Sequence, residues 1–434
     1  MKTKYYLAID IGASSGRHIV GWQDGQNIKT EEVYRFDNHV DKIDRHLAWD
    51  TERLFNEIKH GIKMAISSYK HIESVSIDTW GVDYVLLNGD MPILPCYAYR
   101  DYRTQTVAAD VNSRLSFEYL YERTGIQYQP FNTLYQLCCD NSSGKLRNAT
   151  DFLMLPEYFN FLLTGNKIKE YTNATTTGLI NANSKQFDLD LISRLNLPLH
   201  LFSPLYKAGT IVGNLLSEIA DEVGGQTVVK LCASHDTACA FEAIKNEDNS
   251  VLISSGTWSL VGAKLKKPLT SLTALHYNFT NEGGVDYIRF LKNVTGMWIS
   301  VQLHNEYEKD YVKMSDMALQ SNYDGIFDVN DNVFSAPSKM SDTIQNWFLE
   351  RCKQPPKTEA DYYRAAYRSL AYAYKTAIGQ IEECTNTRFD KIYIVGGGAK
   401  NEAVNEFTKE FTGKTVIPVP IEATAIGNLK CQMR

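Results

Sequence analysis

The sequence has no block of lysine or arginine, no apolar run long enough to cross a bilayer, and no cysteine spacing of the kind that holds a metal. Each absence excludes something. Without a basic block, and with a formal net charge of -6, the chain lacks the electrostatic footprint of a nucleic-acid binder, so a small-molecule partner is expected instead. Without an apolar segment of about 20 residues, neither a spanning helix nor a membrane partner is expected. The opening Met1-Lys-Thr-Lys-Tyr-Tyr runs straight into a strand pattern without the apolar core and cleavage site of a signal peptide, which points to the cytoplasm. Among the eight cysteines, Cys138 and Cys139 are adjacent, while Cys232 and Cys239 flank a different motif; reduced, mostly buried thiols are expected.

What is present is a soluble, globular composition, 44% hydrophobic and 22% charged, in a chain of 434 residues. That length exceeds what one core usually supports, so two domains are expected, residues 1–244 and 245–434. The stretch from Tyr6 to Trp22 organises the first. An apolar strand, Tyr6 to Gly12, meets the small-residue turn Ala13-Ser-Ser-Gly16, and a second strand, Arg17 to Trp22, leaves it. Gly12 and Gly16 allow close backbone approach, Ser14 and Ser15 add hydroxyl donors, and Asp10 interrupts the strand where a hard cation could bridge it to a phosphate. The same Gly/Ser hairpin with one Asp also occurs in ordinary folds.

Further along, Asp50 precedes helical spacing of Leu54, Phe55, Ile58, Ile62 and Ile66, and the strand Ser74–Ile77 leads into Asp78-Thr-Trp80-Gly81-Val-Asp83. That loop either grips a polyhydroxylated ligand, or Trp80 packs and the carboxylates cap turns. From Phe117 to Thr164 the pattern is helical with interruptions, Tyr171 to Gly178 reads as a polar loop, and Leu189 to Ala220 reads as short helices. The strand Thr227–Leu231 ends in Cys232-Ala-Ser234-His235-Asp236-Thr237, at a strand-to-helix junction. Asp236 there could take a proton from a hydroxyl or merely cap the helix. Ser250 to Gly262 repeats the opening hairpin around Ser255-Gly-Thr257-Trp258, an internal duplication that could hold a polyphosphate from two sides. Leu291 to Gln302 places a polar cluster, with Asn293, at the start of a helix bearing Gln302. A long helix, Asp361 to Thr387, precedes the strand Lys391–Val395 and a triple-glycine turn, Gly396 to Gly398, that opens a helix N-terminus toward an anion or nucleoside.

Taken together, Asp10-Ile-Gly-Ala-Ser-Ser-Gly-Arg17, Asp78-Thr-Trp-Gly-Val-Asp83, Ser234-His-Asp-Thr237, Ser255-Gly-Thr-Trp-Ser259 and Gly396-Gly-Gly-Ala-Lys-Asn401 resemble the FGGY carbohydrate kinases, and within them the rhamnulokinase group. The resemblance covers almost the whole chain. It implies an α/β fold of two ribonuclease H-like, actin/hexokinase-type domains around a central cleft. It further implies an ATP-dependent kinase acting with Mg²⁺ on the C1 hydroxyl of a deoxy-ketose, L-rhamnulose before L-fuculose, with a non-catalytic sugar or ATP sensor as the rival class. The ligands expected are the ketose and ATP, on a monomer or weak homodimer. Residue by residue, the resemblance assigns Ala13, Ser14, Ser15, Gly16 and Arg17 to the ATP phosphates, and Asp10 to magnesium. It assigns Gly81, His235, Asp236, Thr237 and Asn293 to the sugar, and Thr257, Gln302, Gly397 and Gly398 to ATP; Asp236 is the expected base. In one respect the chain departs from the pattern: relatives continue past the position of Arg434, so the helix beginning near Gly427 is expected to be short and the second domain truncated.

Overall fold

The computed structural model describes residues 3–244, 249–419 and 422–434. The chain forms two compact units, one of Met1–Ala243, Leu265–Arg289 and Thr424–Arg434, the other of Ile244–Lys264 and Phe290–Ala423. The expected division after residue 244 abuts residues 245–248, which lie outside the described residues.

The first unit is built on strands β1 (Tyr6–Ile11), β2 (Ser15–Asp24), β3 (Asn27–Asp37), β4 (Ser74–Thr79), β5 (Ile211–Asn214) and β6 (Val228–Lys230), in the order β5-β6-β4-β1-β2-β3. β1 pairs antiparallel with β2 and parallel with β4, and β4 runs parallel to β6. A parallel centre is covered on both faces, so β1 is a nearly continuous apolar run, and Leu7, Ile9 and Ile11 are fully buried. Helix α1 (Thr51–Tyr69) starts where Asp50 accepts a hydrogen bond from Arg53 N, and its Leu54, Ile58 and Ile62 are buried at the expected spacing. Each such side chain contributes roughly 1.5–3 kcal/mol of burial. Helix α2 (Asp236–Ala243) follows β6.

The second unit repeats the pattern. Strands β7 (Ser250–Ser255), β8 (Trp258–Leu265), β9 (Ile288–Thr295), β10 (Lys391–Val395) and β11 (Thr415–Val419) lie in the order β9-β8-β7-β10-β11, in a six-stranded sheet whose edge beyond β9 is the short strand Thr280–Gly283. Here β7 pairs antiparallel with β8 and parallel with β10, as β1 does with β2 and β4. The expected duplication is therefore present in strand direction as well as in sequence. Helix α3 (Trp298–Tyr307) follows β9. Then come α4 (Glu359–Thr385), with a capping box at Thr358 and Asp361, and α5 (Glu402–Thr412). The last helix, α6 (Ala423–Gln432), belongs from Thr424 onward to the first unit and begins four residues before the expected Gly427. From it Gln432 Nε2 donates to Leu7 O at 2.9 Å, and Ser74 Oγ donates to Gln432 Oε1 at 2.7 Å.

Four local expectations are corrected. Tyr171–Thr175 is a helical turn rather than a loop, because Glu170 accepts hydrogen bonds from Thr172 N and Asn173 N. Within the stretch from Phe117 to Thr164, Asp151–Met154 is a strand, paired antiparallel with Tyr84–Asn88. The region from Leu189 to Ala220 contains β5 as well as helices, since an edge strand of four residues is too short to show a period. Asn293 lies on β9 and not at a helix start.

Candidate active site

In the first unit the chemistry gathers at the carboxyl ends of β1 and β4 and the start of α2. Asp10 and Asp78 face each other in register across the parallel pair β1–β4. Thr79 N donates to Ser234 O at 3.0 Å, which brings the 234–237 segment against the same strand end. Ser234 is itself fixed by the buried Glu170, whose Oε2 accepts from Ser234 Oγ at 2.8 Å, and Asn173 Nδ2 donates to Ser234 O at 3.1 Å. Asp236 then opens α2 with its side chain one-third exposed. Its Oδ1 accepts from Thr237 N and, at 2.9 Å, from Thr237 Oγ1. Asp236 is thus both a local cap and an accessible carboxylate.

His235 links Asp236 to two residues that sequence reasoning missed. Its Nε2 lies 3.3 Å from Asp236 Oδ1, and its Nδ1 lies 3.2 Å from Glu282 Oε2 and 3.1 Å from Arg289 Nη2. Arg289 is completely buried, donates from Nε to Gly283 O at 2.8 Å, and meets Glu282 Oε2 at 3.0 Å. Burial alone would raise the carboxyl of Glu282, but the charges of Arg289 and His235 outweigh it and hold the group down at about 2. The available signal was a lone arginine inside the apolar run Ile288 to Leu291, the counterpart of Asp10 inside β1.

The hairpin turn is held from behind. Gly12 N donates to Ser15 O at 2.8 Å, Asn38 N donates to Ser14 O at 2.9 Å, and Asn38 Nδ2 donates to Gly12 O at 2.8 Å. Ser14 is exposed, and Ala13, Ser15 and Arg17 are half-buried. A Cβ at Gly12 would have room, whereas one at Gly16 would lie 2.1 Å from the Phe36 ring, so Gly16 serves packing. Arg17, expected on the ATP phosphates, donates from Nη2 to Asp10 Oδ2 at 2.8 Å. Asp78 is fully buried, and its Oδ2 accepts from Asn428 Nδ2 at 2.6 Å. Burial first, and then the neighbouring Asp10 carboxylate, push Asp78 well above the usual carboxylate range. Cys232 and Cys239 place their sulfurs within 4.8 Å of an Asp78 oxygen, but the thiols donate to Ile77 O and Ala233 O and belong to the packed interior.

The loop after β4 divides its labour. Trp49 Nε1 and Trp80 Nε1 donate to Asp83 Oδ2 at 2.7 and 2.9 Å, and the two indoles lie 4.2 Å apart. Asp83 is therefore an internal anchor, pushed up to about 6 by burial against the pull of its donors. A Cβ at Gly81 would lie 2.8 Å from the Thr176 side chain, so the close approach there is made by Thr176.

In the second unit the turn after β7 repeats the bracing of the first. Gly256 N donates to Trp258 O at 2.9 Å, and Thr257 O accepts from Gly296 N and Trp298 N, tying Thr257 to the start of α3, which carries Gln302. Asn293 Oδ1 is buried without a hydrogen-bond partner among the described residues. A Cβ at Gly398 would lie 2.1 Å from Ser255 Oγ, whose hydroxyl bonds Tyr374 OH at 3.0 Å, whereas one at Gly397 would meet only Ser255 O at 4.0 Å. The expectation of an open N-terminus on α5 is corrected. Asn401 Oδ1 accepts from Val404 N, Ser315 Oγ accepts from Ala403 N, and a tight turn, Gly397–Lys400, separates the glycines from the helix.

With this geometry in hand, comparison with known proteins gives a family. Residues 5–241 match the N-terminal domain, and residues 251–434 the C-terminal domain, of the FGGY family of carbohydrate kinases. The chain belongs to that family. A rhamnulokinase of Oceanobacillus iheyensis is 44% identical over 433 residues, covering 98% of this chain and 92% of the relative. A rhamnulokinase of Bacillus subtilis is 37% identical, covering 99% and 90%. Among solved structures, a ligand-bound xylulose kinase of Lactobacillus acidophilus superposes with a TM-score of 0.81 at 14% identity, covering 99% of this chain and 89% of that one, which shows the shared fold. The FGGY chain described here is a carbohydrate kinase with the actin/hexokinase-like fold expected from its motifs. Among its described residues, no helix is long and apolar enough to cross a membrane.

Proposed function

We propose that the protein transfers the γ-phosphate of ATP to the C1 hydroxyl of L-rhamnulose, in the cytoplasm, as a monomer or weak homodimer. The relatives named rhamnulokinase supply the substrate class. The observation that carries the mechanism is Asp236, with Oδ1 held by Thr237 and the side chain accessible. As the C1 oxygen bonds to the γ-phosphorus, the bond from phosphorus to the ADP oxygen breaks, and the hydroxyl proton passes to Asp236 Oδ2. His235 orients that carboxylate, and Glu282 with Arg289 orients His235. Gly81, Thr237 and Asn293 complete the sugar contacts; the orphaned Asn293 Oδ1 is a ready acceptor for a sugar hydroxyl. Residues 1–244 form the sugar and phosphate side, with Ala13 to Arg17 on the phosphates. Residues 245–434 form the nucleotide side, with Thr257, Gln302, Gly397 and Gly398.

A divalent cation suits the donor set. Asp10 and Asp236 offer hard oxygens, and both raise the pKa of Asp78, so negative charge accumulates here. Asp10 would hold Mg²⁺, sharing its carboxylate with Arg17, and the ion would offset charge on the β- and γ-phosphate oxygens.

The test is ADP release over L-rhamnulose, L-fuculose and D-xylulose, with the phosphorylated carbon located by NMR. Fastest turnover on L-rhamnulose with phosphate at C1 is expected; preference for another ketose, or phosphate elsewhere, overturns the assignment. A second test separates the two glycines. Gly397→Val has room in the fold, so it raises the KM for ATP about tenfold, leaving the KM for sugar and the melting temperature unchanged. Gly398→Val displaces Ser255, so it lowers the melting temperature as well. Equal weakening of sugar and ATP by Gly397→Val would count against the nucleotide role of the turn.

A further inference from the structure

A cavity of about 640 Å³ lies within the second unit, between α4, β9 and the loop 326–330. None of the residues assigned to sugar or ATP lines it. Its volume is that of a small-molecule site. The wall combines rings and cations: Phe327, Trp347 and Tyr372 on the apolar side, Lys292 and Lys353 on the charged side. Lys292 Nζ donates to Gln380 Oε1 at 3.0 Å, so the ammonium is held at the wall and does not sweep through solvent. Lys353 sits 5.3 Å from the Trp347 ring centroid, which fixes a second positive charge beside an aromatic surface. The acid on the wall, Asp328, is turned to its own loop, where Oδ1 accepts from Asn330 N at 2.9 Å. The balance of fixed charge facing the space is positive, and the apolar walls suit a flat ring.

We propose that this cavity is a second binding site, separate from the phosphoryl-transfer machinery, for a small aromatic anion such as a ring-bearing carboxylate, sulfonate or phosphate. Rings would lie along Trp347 and Phe327, and the anionic group would meet Lys292. The proposal does not depend on the identity of the sugar.

The probe is 8-anilinonaphthalene-1-sulfonate, titrated into the full chain and followed by its fluorescence. Saturable binding at one site is expected, undiminished by saturating ATP. Lys292→Met weakens it about tenfold, the worth of one charge-assisted contact. Thr376→Trp, which fills the cavity from α4, abolishes it, and Lys353→Met, which removes the second wall charge, weakens it by less than Lys292→Met does. Turnover on ATP and ketose stays at the wild-type level in all three variants. Dye affinity unchanged in all three variants, or dye displaced by ATP, overturns the proposal.

Discussion

Asp236→Asn leaves sugar and ATP binding within a few-fold of wild type and lowers kcat by about two to four orders of magnitude, the range of a general base. The amide keeps the size of the side chain and can still accept from Thr237, so α2 starts as before. What it loses is the capacity to take the C1 proton. Calorimetric titration of each ligand, paired with single-turnover ADP formation, separates the two quantities. Turnover near wild type would remove Asp236 from the role of base, and loss of sugar binding in step with turnover would make it a positioning residue instead.

Arg289→Met is expected to cost about 3–5 kcal/mol of stability, because it leaves the Glu282 carboxylate buried without its cation. The pH dependence gives the mechanism away. In the wild type, Glu282 titrates at about 2, below its value in an unfolded chain. The stabilisation it contributes is therefore complete above about pH 4.5 and is lost as pH falls toward 2. In the variant, burial dominates and Glu282 titrates above its unfolded value. Stability then declines as pH rises from about 4.5, the opposite slope. Urea unfolding between pH 4.5 and 7 reads the difference directly. Adding Glu282→Gln should restore much of the loss, since the double variant buries no lone charge. An Arg289→Met protein with the wild-type slope would show that the pair is not coupled. His235, deprived of its support, should also lower kcat more than it raises the KM for sugar.

The sequence made the architecture legible because both hairpins carry small residues at fixed places between apolar strands, and because α1 and α4 have long, regular apolar faces with caps. The strands at 151–154 and 211–214 were hidden because four residues show no period, and their pairing partners lie far away in the chain. Asp236 was legible from its place after β6, whereas Glu282 and Arg289, about fifty residues on, reach His235 only through tertiary folding. Glycine was the least readable residue. Gly12 and Gly397 leave space, whereas Gly16, Gly81 and Gly398 are filled by Phe36, Thr176 and Ser255, a distinction that depends on which neighbour arrives. The helix N-terminus after Gly396 to Gly398 is expected to be open to a ligand, and the Asn401 side chain caps it instead.

The ties from Gln432 to Leu7 and Ser74, and from Asn428 to Asp78, set a schedule for biogenesis. A ribosome extends the nascent chain by about 5–20 residues each second, so some tens of seconds separate translation of β1 from arrival of the helix that completes its hydrogen bonds. Throughout that interval the first sheet is held without its final partner. The side-chain bonds to Leu7 O and Ser74 Oγ therefore form only after the last helix has been made.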